Sequence, residues 1–380
     1  MASIISAGMS KFGSDNRRLI DHIEEAAVPL MKKTEGFTVD FMVFSTPYSF
    51  PFNGLSAVSA SFGSLFGLES VPYVSVDNTS ATGSSAILVA RSLIESSIAK
   101  HVLVIGGEKM TSVGTRTASR VIASLLPGEE ASAGLTLPSV AAFTVREYIQ
   151  KYSPQRESIA RVAVKNHHNG SLNPLAHFQK EVTLERVISS RIIADPLRLF
   201  EFCPVSDGAA ALLMTSDDDA ESYSKNPVKI ISVGSASDSA YLAMRETFTH
   251  LRSVQMAAFR AFEQTDVSRR DIDLMELHDM SSILEIVELE DLGFSPPGKG
   301  WEMAETGMTS LEGELPVNTS GGLISRGHPL GATGIAQAVE IFAQLGGNAN
   351  KRQVKNHNTA LSLNLAGYGN NATVILYGVS

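Results

Sequence analysis

Cysteine is almost missing from this 380-residue chain: Cys203 stands alone. No intrachain disulfide can form, so a reducing compartment, the cytoplasm, is the expected home. Positive charge is also short. Lys plus Arg number 31 against 40 Asp plus Glu, a formal charge of -9, which argues against nucleic acid or an anionic membrane as the main partner. A local basic cleft for a phosphorylated ligand stays open. No run approaches the ~18 apolar residues of a membrane span, and the opening MASIISAGMSKFG has neither a charged leader nor a long apolar stretch. Zinc-type Cys/His spacings, a P-loop and a dinucleotide fingerprint are missing too. No metal and no permanently bound cofactor is therefore expected.

What is present is an alternation. Short apolar runs that suit buried strands recur at 39–46, 101–107, 209–216, 228–237, 271–279 and 372–379, and helical patterns fall at 17–32, 82–98, 250–264, 281–291 and 332–346. This rhythm predicts an α/β layered fold. The helix after Gly83 is apolar nearly all round, which places it between layers rather than on the surface. Two stretches break the rhythm, 113–137 and 165–207, the latter containing KNHHNGSLNPLAHFQK; long interruptions of this kind read as binding loops or plain excursions.

An internal echo runs through the chain. VDNTSATGSSAILVARSLI in the first half is answered by PVNTSGGL and, after the insertion ISRGHPL, by GATGIAQAVEIFAQL. Each half thus sets a small-residue turn before a buried helix. Ser80 sits at the first turn, where helix amides stabilise an anion; alternatively Asn78, Thr79 or Ser80 simply caps the helix. His328 is fixed between Gly327 and Pro329 in a glycine-dense loop, a setting suited to proton transfer or to a structural turn. His278 and Asp279 follow the strand DIDLMEL, at the strand end where α/β sheets place active-site groups, unless they only cap the next helix. Gly367 and Gly369, between two C-terminal strands, either present amides to an oxyanion or satisfy turn geometry.

The motifs DNTSATGSSA, GGEKMT, ADPLRLFEFCPVSDGAAALL, ELHDMSS, GGLISRGHPLGATG and NLAGYGNNATV, in this order over almost the whole chain, resemble the thiolase superfamily, in the branch of the sterol carrier protein thiolases and archaeal thiolases. The resemblance implies a thiolase-like fold: two related half-domains in an α-β-α-β-α layering with an inserted loop domain. The halves are expected at 1–225, with the insertion at about 112–205, and at 226–380. It also implies a coenzyme A thioester as substrate or ligand, a role in lipid metabolism, and a homodimer or dimer of dimers.

By the same resemblance, His328 matches the histidine that activates the family's nucleophile and His278 the one that holds the thioester oxygen, with Gly367, Leu365 and Gly322 expected to line the substrate. The family's nucleophilic cysteine is replaced by Ser80, and Leu363 falls where a second proton-carrying residue is expected; a one-residue shift in the alignment would bring Ser362 or Asn364 there instead, neither an obvious base. An alcohol needs a strong base throughout attack, whereas a thiol ionises readily. Three readings follow: an acyltransferase working through Ser80 with impaired Claisen chemistry; a non-catalytic acyl-CoA-binding subunit partnered by an active thiolase or a small OB-fold acyl-CoA-binding protein; and an acetyl-CoA C-acetyltransferase with a substituted nucleophile. Cys203, in scaffold sequence, reads as an inert buried thiol.

Overall fold

The computed structural model describes residues 1–379; Ser380, the end of the expected second half, lies outside them. Among the described residues nine strands form one mixed sheet: β1 (Ala2–Met9), β2 (Phe41–Ser45), β3 (Tyr73–Ser75), β4 (Val102–Lys109), β7 (Asp207–Ser216), β8 (Val228–Ser237), β9 (Leu274–Glu276), β10 (Thr359–Ala366) and β11 (Asn371–Val379). Two more, β5 (Ile192–Ala194) and β6 (Leu197–Arg198), pair separately. The order across the sheet is β3-β2-β4-β7-β1-β8-β11-β10-β9. Among the described residues only the short antiparallel contact of Ala2–Ile4 with Val228–Ile230 joins its two sides.

The pairing senses repeat on either side of that seam. β1 with β7, and β7 with β4, are antiparallel, and β4 with β2 is parallel; β8 with β11, and β11 with β10, are antiparallel, and β10 with β9 is parallel. Even β3 has an echo, the single parallel bridge between Met275 and Val317. The repeated NTS tripeptide therefore stands at the same place in each topology.

Five layers result. Helix Leu19–Lys33 covers β1, β4 and β7 from outside, and helix Arg252–Phe262 covers β8 and β11. Between the half-sheets lie helices Thr82–Glu95 and Thr333–Leu345, each touching strands of both halves. Their all-round apolar sequences have this cause: Ala86, Ile87 and Ala90 in one, and Ile335, Ala336, Ala338 and Ile341 in the other, are fully buried. The two helices meet at their first turns, where a Cβ on Gly83 would come within 2.8 Å of the Gly334 amide nitrogen. Any side chain there would push the layers apart.

The stretch 165–207 departs from the loop expected of it. Its first residues complete the helix Arg156–Ser171, next to a second long helix, Leu137–Tyr152. Asn and His look like loop residues in isolation, but Asn166, His167 and Asn169 are buried; Asn166 donates to Asp279 and Glu285, and Asn169 to the carbonyl of Asn318. Partners distant in sequence take up the two asparagine side-chain amides, so the helix tolerates them, while His167 Nδ1 and the Asn169 side-chain oxygen stay buried without a partner. Among the described residues no helix is long and apolar enough to cross a membrane.

Candidate active site

Ser80 lies in a single 3₁₀ turn, Thr79–Ala81, directly ahead of helix Thr82–Glu95, and is 2% exposed. It does not cap that helix, which begins without any side-chain cap. The preceding Thr79 is held at φ 48°, a left-handed conformation that costs a β-branched residue free energy and marks a constrained turn. Asn78 ties the turn to the strand end by donating to Ser85 and Asn371. The turn rests against β10 and β11, close to the connection that holds Gly367 at φ 55°.

His278 leaves the end of β9 fully buried, its backbone amide donating to Glu288. Its Nδ1 accepts from the Asn364 side-chain amide at 2.9 Å, and the Asn364 oxygen in turn accepts from Ser84 at 3.1 Å. His328 is nearly as buried, and its Nδ1 lies 2.7 Å from the Thr333 hydroxyl. That hydroxyl donates to the carbonyl of Pro329, so it accepts the Nδ1 proton of His328. The two rings stand edge to face with centroids 5.0 Å apart.

These tethers fix opposite tautomers. His278, accepting at Nδ1, carries its proton on Nε2; His328, donating at Nδ1, keeps a lone pair on Nε2. Both Nε2 atoms are buried without a partner. One hydrogen-bond donor and one proton acceptor are thus left unused side by side. Burial, with Arg326 adding repulsion, pushes His328 down to about 3, and burial, with His328 and Arg326 adding repulsion, holds His278 well below the ordinary imidazole value. Both are therefore neutral at physiological pH.

Behind the histidine loop, Glu108 at the end of β4 accepts from the amides of Tyr48 and Gly331, and burial pushes it up to about 8. Arg326 is buried in an ion pair with Glu276 at 3.2 Å. Asp279 accepts from the amides of Leu323 and Ile324 at 2.6 and 3.4 Å, anchoring helix Gly322–Arg326 rather than the helix that follows it in sequence.

Ser80, His278 and His328 therefore come from the same junction of helix starts and strand ends, but Ser80 hydrogen-bonds to neither histidine among the described residues. Two expected substrate-lining residues belong to the scaffold instead. Gly322, at φ 59°, lies where a Cβ would strike the Asp279 carboxylate at 2.3 Å, and its amide is spent on the Ser320 hydroxyl. Leu365 points into the apolar core together with Leu361 and Leu363. Strand alternation turns Asn364 to the opposite face, so Asn364, not Leu363, faces the histidines. Thr333 and Ser84, which orient this site, carry no signal in the sequence beyond their places in the first turns of the two central helices. Cys203 is partly buried, and burial pushes its thiol up, away from the thiolate form. Among the described residues no group of three or more His, Cys, Asp or Glu could hold a metal ion.

Comparison with known proteins agrees with this architecture. Residues 3–218 match the family described as "Thiolase, N-terminal domain", and residues 234–379 match "Thiolase C-terminal domain-like". The chain is 38% identical to an acetyl-CoA acetyltransferase of Methanothermobacter thermautotrophicus over 378 residues, covering 99% of this chain and 98% of that one. It is 33% identical to human sterol carrier protein 2, covering 98% of this chain and 71% of the relative. Among solved structures, the Ltp2-ChsH2(DUF35) aldolase superposes with a TM-score of 0.85 at 24% identity, covering 99% of this chain and 97% of that one. Human mitochondrial 3-ketoacyl-CoA thiolase superposes at 0.76 with 16% identity, covering 100% and 98%; at these identities the likeness concerns the fold. With family matches across both halves and relatives of this identity along nearly its full length, the chain belongs to the thiolase family.

Proposed function

We propose that the chain binds a coenzyme A thioester and transfers its acyl group through Ser80. The observation that carries this reading is the pair of unpartnered, oppositely protonated Nε2 atoms on His278 and His328. The His278 N–H donates to the thioester oxygen and stabilises it as charge develops there. As the Ser80 oxygen bonds to the carbonyl carbon, its proton passes to His328 Nε2; the carbon–sulfur bond breaks, and the departing thiolate takes that proton. With His328 held near 3, the base is weak and acylation of an alcohol is slow. Asn364, the side chain facing the histidines from β10, supplies no proton for carbon–carbon bond formation, so Claisen chemistry is impaired.

The test is acyl exchange between a panel of acyl-CoA thioesters and isotopically labelled coenzyme A, with Ser80→Ala and His328→Ala beside the unmodified protein. Both variants are expected to lose at least ~100-fold in turnover while still binding thioester. Unchanged turnover in His328→Ala overturns the assignment.

A second reading, a non-catalytic acyl-CoA-binding subunit, is favoured by one observation: the Ser80 hydroxyl is bonded to no base. The solved Ltp2-ChsH2(DUF35) structure, a thiolase-like fold named jointly with a second component, is in keeping with a partner protein. Isolation from the native source with such a partner, together with no turnover alone, selects this reading. Pairing with a second copy is supported by the open sheet edge at β3, whose three residues are all exposed. A cytoplasmic setting is supported by the single cysteine.

A further inference from the structure

His278 lies between two carboxylates that reach the same short helix. Glu276, two positions before it, accepts from Nη1 of Arg326 at 3.2 Å, and Asp279, the next residue, accepts from the amides of Leu323 and Ile324 at 2.6 and 3.4 Å. Helix Gly322–Arg326 is therefore gripped near its start by Asp279 and at its last residue by Glu276, and His328 follows two positions later. Ser320 closes the ring: its hydroxyl donates to Glu276 at 2.6 Å and accepts from Arg326 Nη1 at 3.1 Å. All four side chains are fully buried.

Packing alone does not call for an arginine here. Its Nε and Nη2 are buried without a partner, and unpaired buried donors are destabilising; apolar side chains of similar volume often replace a buried ion pair at no loss of stability. What apolar contacts lack is direction. The two partners stand two positions ahead of the two histidines, whose rings meet edge to face with centroids 5.0 Å apart. We infer that Glu276 and Arg326 are a positioning pair, which sets the spacing between the strand end carrying His278 and the loop carrying His328, and so the way the two rings face one substrate. The inference rests on the acyl-transfer reading above and adds the residues that hold its donor and its base in register. Arg326 acts in a second way, because its charge adds to burial in keeping a proton off both rings, so donor and acceptor stay distinct.

The experiment combines ring-nitrogen NMR of isotopically labelled histidine with acyl exchange between acetyl-CoA and labelled coenzyme A, on the full chain, Arg326→Met, Arg326→Lys and the double variant Glu276→Gln/Arg326→Met, with urea midpoints alongside. The parent spectra are expected to show His278 protonated on Nε2 and His328 on Nδ1; in Arg326→Met and the double variant at least one ring should move toward an average of two tautomers. In both, kcat should fall about 10- to 100-fold with KM within about twofold. Arg326→Lys should recover most of that loss, since only one guanidinium nitrogen is engaged. The double variant, free of both charges of the pair, should unfold at higher urea than Arg326→Met, which strands Glu276, yet regain no turnover. Turnover that returns with stability in the double variant, or spectra and kcat unchanged in Arg326→Met, reduces the pair to scaffolding and overturns the inference. If Arg326→Met does not fold, the lysine and double variants decide between the same outcomes. A parent protein that exchanges no acyl group overturns the acyl-transfer reading; the spectra then judge the pair alone, and tautomers unaltered in every variant overturn it too.

Discussion

The Asn-Thr-Ser turns of the two halves share a tripeptide and a topological place, yet their hydroxyls have opposite fates. Ser320 donates to Glu276 at 2.6 Å and accepts from the Gly322 amide and from Arg326, and Thr319 bonds Glu276 and Glu340. Ser80 makes no side-chain hydrogen bond among the described residues and keeps 2% exposure, and the Thr79 hydroxyl beside it is buried without a partner. Leaving a buried hydroxyl unsatisfied costs about 1–3 kcal/mol, a cost a scaffold turn avoids and a ligand-binding turn recovers when occupied. The second half spends its copy on holding the Gly-His-Pro loop in place. The first half keeps its copy free.

The sharpest way to break this comparison is to put a thiol in each turn. Ser80→Cys is expected to raise the rate of acyl transfer on the order of tenfold to a hundredfold, because a free thiol is partly ionised at neutral pH whereas an alcohol is not. Ser320→Cys, inside its ring of partners, should not raise it. A rise in both variants, or in neither, read by single-turnover acylation, would remove the distinction between the turns.

A smaller effect separates them by stability. Ser320→Ala leaves Glu276 and Arg326 short of a partner and is expected to lower unfolding free energy by about 1–3 kcal/mol. Ser80→Ala removes no hydrogen bond and should stay within about 0.5 kcal/mol of the parent protein. Urea denaturation of the two variants measures both, and equal losses would show that Ser80 has a structural partner after all.

The layering and both histidines were legible in the sequence because each rests on local pattern: β-branched runs for strands, an all-round apolar helix after Gly83, a histidine locked by glycine and proline. What sequence left hidden was orientation. On β10 a shift of one residue exchanges the two faces, so whether Leu363 or Asn364 looks into the site depends on the register with β11, where Leu363 pairs with Val374 and Asn364 with Thr373. The family resemblance set Gly322 against the substrate, but the fold sets it against Asp279. The helix Arg156–Ser171 stayed hidden for a related reason. The side-chain amides of Asn166 and Asn169 donate to groups more than a hundred positions away, Asp279, Glu285 and the Asn318 carbonyl, and no local window contains them.

The smallest expected effect is an absence of change, and it asks which half supplies the titrating groups. Ser80 brings none in the working pH range, so the proton acceptor is His328, pushed down to about 3. Such a base is unprotonated above roughly pH 4, and lowering the pH through the ordinary imidazole range takes nothing away from it. Turnover over KM should therefore be flat from about pH 5 to about pH 7. The first half enters only at higher pH, through Glu108, pushed up to about 8: as pH rises past that value its carboxyl ionises beside the Gly331 amide, in the loop that carries His328. Any limb near pH 8 should vanish in Glu108→Gln. An inflection near pH 6.5 would instead require a base less buried than His328, and would move the acceptor out of the Gly-His-Pro loop altogether.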